Sequence, residues 1–82
     1  MSDAETFAAL QTALANRQPV LFQTSSAAPT MVASHVYVIT AVSQDASGNP
    51  WITTYNPWGF YDVRSQADLL SNGTGFLLFG TA

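Results

Sequence analysis

The stretch that most limits how this chain can fold is Ser34 to Gly59, SHVYVITAVSQDASGNPWITTYNPWG. It holds the one histidine, both tryptophans and two of the four prolines. His35 to Val42 is rich in β-branched and aromatic residues, which suit a pleated backbone. Asp45 to Pro50 gathers turn formers, and Trp51 to Tyr55 resumes the strand pattern. Two strands joined by so short a turn run antiparallel. With the turn centred near Ala46, Asn56 is expected across from His35 at the open end of the hairpin. Val36, Val38 and Val42 are expected on one face of the first strand, with His35, Tyr37, Ile39 and Ala41 on the other. Both sets are apolar, so a central strand buried on two sides is expected.

The flanking segments complete an α+β domain. Ser2 and Glu5 match a capping box at a helix start. Phe7, Leu10 and Leu14 then recur at helical spacing, and Asn16 with Pro19 ends the run. Val20 to Gln23 reads as a strand, and Thr24 to Ser34 as a polar, proline-bearing loop. Pro57 cannot donate to a sheet ladder, so the second hairpin strand should stop near Asn56. Phe60 to Val63 is expected to add a short strand. Ser65-Gln66-Ala67-Asp68 opens a short helix that Asn72-Gly73 stops, and Gly75 to Phe79 forms a last strand. The expectation is a single domain over residues 1–82: an N-terminal helix packed on a twisted antiparallel sheet of about four to five strands.

Composition narrows the function classes. Only 9% of the 82 residues are charged, against 48% hydrophobic. A free-standing domain usually carries about a quarter charged residues, so a face that meets another subdomain or a second copy is expected. The net charge of −3, with Arg17 and Arg64 as the sole basic side chains, argues against nucleic-acid or anionic-membrane partners. No apolar run is long enough to span a membrane, and no signal-peptide layout opens the chain, so the cytoplasm is the default expectation. With no cysteine, a disulfide framework is excluded. One histidine is too little for a zinc site, and no cofactor or metal is expected. Asp45, Asp62 and Asp68 are scattered rather than paired, and Gly73-Thr74-Gly75 lacks the pattern of a phosphate loop. Ser25, Ser26 and Ser34 precede the histidine without a nucleophile-elbow motif.

His35-Val36-Tyr37 followed by Asn56-Pro57-Trp58-Gly59 resembles the C-terminal catalytic subdomain of calpain-like, papain-fold cysteine peptidases. The resemblance covers roughly Gln18 to Phe79, and its specific part is the histidine with the Asn-Pro-Trp-Gly motif. It implies that His35 and Asn56 are catalytic and that Trp58 shields their contact. An amide beside an imidazole can fix the ring's tautomer and leave the other nitrogen free as a base. The family's nucleophile is a cysteine on a helix N-terminal to the histidine, with an oxyanion-hole glutamine before it, and neither has a counterpart here. The chain thus resembles one half of a peptidase. It is expected to be inactive alone and to be completed by a cysteine-bearing subdomain or chain acting on a polypeptide. The alternative is a non-catalytic protein-binding or assembly module derived from that fold, and a homodimer is expected through Met31, Val32 and Trp58 beside the histidine.

Overall fold

The computed structural model describes residues 2–56 and 58–78. Helix α1 spans Asp3–Ala15, and its start is held by both arms of the expected capping box. Glu5 N donates to Ser2 Oγ and Ser2 N donates to Glu5 Oε1, each at 3.1 Å. These bonds, the backbone one first, hold the Glu5 carboxyl below its ordinary range. Phe7, Leu10 and Ala13 make the buried stripe, and Leu14 packs at its margin.

Strands β1 (Val20–Thr24), β2 (Val36–Gln44), β3 (Pro50–Asn56) and β4 (Phe60–Ser65) follow, then α2 (Gln66–Ser71) and β5 (Gly73–Leu78). The five strands form one sheet in the order β4-β3-β2-β1-β5, antiparallel at every pairing. The protein is therefore α+β, with an N-terminal helix and a five-stranded antiparallel sheet. The last strand was expected to reach Phe79, which lies outside the described residues, as does Pro57.

Both helices pack on the same side of the sheet, where Leu10, Val20, Phe22, Tyr37, Ile39, Ile52 and Leu69 form the core. The Phe22 and Phe76 rings meet there, centroids 5.2 Å apart and tilted by 56°. The other side is open. Strand β2 is central, as its composition suggested, but only Tyr37 and Ile39 are buried. Val36 and Val38 are 41% and 43% exposed, so burial on two faces does not occur. The expected assignment of faces also fails beyond Ile39. A bulge at Thr40 shifts the ladder, pairing Ala41 with Thr53 and Val42 with Ile52. The extra residue reverses the side-chain alternation. Val42 thus packs on the core while Ala41 is exposed.

The β2–β3 turn is closed around Asp45. Its carboxylate accepts from Ser47 N and Asn49 N at 2.9 Å, from Asn49 Nδ2 at 3.2 Å and from Trp51 Nε1 at 3.1 Å. The Asn49 backbone bond, followed by the Trp51 bond, holds the carboxyl below the usual aspartate range.

Candidate functional site

The site is built where the loop of residues 25–34 feeds into β2. Thr24, the buried last residue of β1, grips His35 by its backbone. Thr24 N donates to the His35 carbonyl and His35 N donates to Thr24 Oγ1, both at 2.8 Å. The hydroxyl proton then has the Val32 carbonyl at 2.7 Å as its nearest acceptor, with the His35 carbonyl at 3.0 Å. One side chain thus fixes both ends of the turn that delivers the histidine. Ser34 sits at φ 52°, in the left-handed region that side chains rarely enter, and its N–H donates to the Ser25 carbonyl at 2.9 Å. This bend aims His35 toward the helix-covered side.

There the imidazole meets two rings. It lies 5.9 Å from Tyr37, edge-on, and 6.2 Å from Trp58 at a tilt of 44°. The Tyr37 hydroxyl is itself held, accepting from Val32 N at 3.1 Å. Asn56 is buried on the same face, beside Ile52 and Thr54 of its own strand. The histidine, the asparagine and the tryptophan are therefore gathered on one side of the sheet, at one end of the hairpin.

The pairing between them differs from the expected one. The β2–β3 ladder joins Val38 to Tyr55, and continuing it by one residue puts Tyr37, not His35, opposite Asn56. His35 is then a diagonal neighbour, at a typical spacing of about 7–8 Å. The cause is the length of the turn and the bulge at Thr40, which together set a register two residues away from a direct His–Asn pair. Among the described residues no hydrogen bond joins the two side chains. Instead Trp58 N donates to Asn56 Oδ1 at 2.8 Å, and Gly59 N donates to the Asn56 carbonyl at 2.9 Å. Gly59 has φ 97°, which this tight return of the chain requires. Asn56 thus fixes the backbone of the residue whose ring lies on His35.

Trp58 is 67% exposed, and its ring lies beside the imidazole toward solvent. Met31 and Val32, expected beside it on an apolar patch, belong to the interior: Met31 is buried and Val32 packs on the core. Phe60, two residues beyond Trp58, is exposed and pairs with Asn56. Of the serines considered, Ser25 is engaged locally, its Oγ accepting from Ala27 N at 3.3 Å. No group of acidic, histidine or cysteine side chains among the described residues could hold a metal ion. Two shallow depressions, lined by residues such as Asp3, Asn49 and Pro50, lie at the turn end of β2, away from His35.

Thr24 and Tyr37 were not singled out from sequence. A threonine at a strand end is common, and only its pairing with a residue eleven positions on marks it. Thr24→Val preserves shape but removes the hydroxyl, leaving His35 N–H and the Val32 carbonyl without a partner. A stability loss of about 2–3 kcal/mol is expected, with faster amide exchange at His35. A loss under about 0.5 kcal/mol, the usual range for an inconsequential surface change, would show that the hydroxyl does not hold the loop.

Comparison with protein-family models, with curated proteins and with solved structures finds no match to this chain.

Proposed function

We propose that this chain is the histidine–asparagine part of a calpain-like cysteine peptidase, acting on a polypeptide once a cysteine-bearing subdomain or chain completes the site. The observation that carries the reading is the Trp58 ring lying 6.2 Å from the His35 ring, on the sheet face that also holds Asn56. In the completed enzyme His35 takes the proton of the cysteine thiol, which leaves a thiolate–imidazolium pair. The thiolate attacks the scissile carbonyl, and the imidazolium returns its proton to the leaving amine. Asn56 is the positioning residue. Its Oδ1 holds the Trp58 backbone, and Trp58 keeps water from the imidazole and limits the ring's rotation.

One observation favours the alternative, a protein-binding or assembly module that kept the sheet without the chemistry. The Asn56 side-chain oxygen Oδ1, which would meet the imidazole, is engaged by Trp58 N.

The purified chain is expected to hydrolyse neither peptides nor simple esters, since a base without a nucleophile has nothing to activate. Turnover of either substrate that disappears in His35→Ala would mean the chain carries its own nucleophile, and the half-site reading would be wrong.

A further inference from the structure

The sheet face away from the helices has a composition unusual for a surface. The strand registers place Leu21, Val36, Val38, Tyr55, Tyr61 and Val63 on it as one continuous apolar area. All but the half-buried Leu21 are exposed, from 36% at Tyr55 to 66% at Tyr61. An antiparallel sheet with one solvated face normally alternates apolar-in with polar-out. Here Val36 and Val38 of β2, Thr53 and Tyr55 of β3, and Tyr61 and Val63 of β4 set aromatic or β-branched side chains outward.

No charged residue lies on this face. Asp62 and Arg64 are the only charged residues within the strands. They pair with the buried Thr54 and Ile52, which puts them on the helix-covered side. Arg64 is bound there to Asp62 at 2.7 Å and to Asp68 at 2.9 Å. Asp3, Glu5 and Asp68 are on helices, Arg17 follows α1, and Asp45 is in a turn. The outward strand positions therefore carry none of the chain's net charge of −3.

We propose that this face is where two copies of the chain associate, sheet against sheet about a twofold axis. A twofold contact sets each residue against the same surface patch, so any charge on it would meet a like charge nearby. A face free of charge meets that condition in a molecule that is anionic elsewhere. Four strands at about 4.8 Å and six residues at about 3.3 Å give a footprint of about 19 by 20 Å. Two copies would cover about 800 Å² in total, the size of weak, transient contacts. The association should accordingly be reversible and concentration-dependent. Tyr55 and Tyr61, edge-to-face at 5.0 Å, supply rigid aromatic area for it. This contact is independent of the His35 reading, since Trp58 and His35 lie toward the other side.

Sedimentation across about 1 µM to 1 mM tests it, a span chosen to bracket a weak interface. The weight-average mass should rise toward twice the monomer's. Val38→Lys, at the centre of the face, should stay monomeric with unchanged circular dichroism. Val63→Lys, on the edge strand, gives the same reading should Val38→Lys fail to fold. Trp58→Lys should associate as the wild type does. A wild type that remains monomeric overturns the proposal. So does association that grows past the dimer, or that Trp58→Lys abolishes and the two valine variants do not.

Discussion

Asn72→Ala should destabilise the domain by roughly 3–5 kcal/mol, since it strands the buried Met31 N–H and several half-buried polar groups at once. Asn72 is fully buried at the C-terminal end of α2. Its Oδ1 accepts from Thr30 N at 2.9 Å and from Met31 N at 3.1 Å. Its Nδ2 donates to Thr30 Oγ1 at 2.8 Å and to the Asp68 carbonyl at 2.7 Å. Its own carbonyl accepts from Ser25 N. The loop that leads into His35 is thus pinned to the α2–β5 junction at its start and at its middle. Arg64 reinforces the middle through Thr30 Oγ1 and Asp68. Alanine would leave Met31 N–H without a partner in the interior and open a space that a methyl group cannot fill. A domain of this size has roughly 4–12 kcal/mol of stability to lose, so a large share of molecules should unfold or lose the loop. Ser71→Ala, one residue earlier and exposed, should cost well under about 1 kcal/mol. Denaturant unfolding of the two variants separates them. A loss below about 1 kcal/mol for Asn72→Ala would mean that water replaces the network without penalty.

Gly73→Ala should cost at least about 3 kcal/mol, beyond the common range for overpacking because backbone is involved. A Cβ at this position would overlap the Gln23 carbonyl oxygen and come within 2.7 Å of Phe22 Cζ. Phe22 is fully buried, and the carbonyl belongs to the strand paired with β5. Neither can withdraw by changing a rotamer, so β5 would have to move off β1. The register shift between Gln23 and Thr24 sits at the same place, which is how Gly73 comes opposite Thr24. Thermal unfolding of the variant should show a drop in Tm of at least about 12 °C, at roughly 4 °C per kcal/mol for a domain of this size. Wild-type stability in Gly73→Ala would mean that β1 and β5 lie farther apart than described.

These two residues show where the sequence was readable and where it was not. Asn72-Gly73 was expected as a helix stop, and so it is; that signal is local, carried by the residue types themselves. Their larger roles depend on Thr30, Met31, Phe22 and Gln23, which only the folded topology brings near. The Ser2–Glu5 capping box and the Asp45–Pro50 turn were legible for the same reason, each closing bonds within five residues or so of itself. The Thr40 bulge was not, because a one-residue slip is decided by how two whole strands match. That slip moved Val42 inward and put Tyr37 opposite Asn56. The open face was misjudged because apolar residues on both sides of β2 normally mean two covered sides. Nothing in the alternation of Val36 and Val38 distinguishes burial by this chain from burial by a second copy. At the site, the nearness of His35 and Asn56 could be anticipated from hairpin geometry, and the place of Trp58 only from the resemblance. The indirect route from Asn56 through the Trp58 backbone could not, since it depends on the register.

The tautomer of His35 tests the half-site account most directly. Nitrogen-15 NMR of the imidazole, at a pH where the ring is neutral, distinguishes the two tautomers by their chemical shifts. If Asn56 and Trp58 position the ring for proton transfer, one tautomer should dominate in the wild type. Asn56→Ala should then move the ratio toward that of a free imidazole, and Trp58→Ala should do so too. An unchanged ratio in Asn56→Ala, with the fold intact by circular dichroism, would contradict the account and leave His35 as an ordinary packed histidine at a strand end.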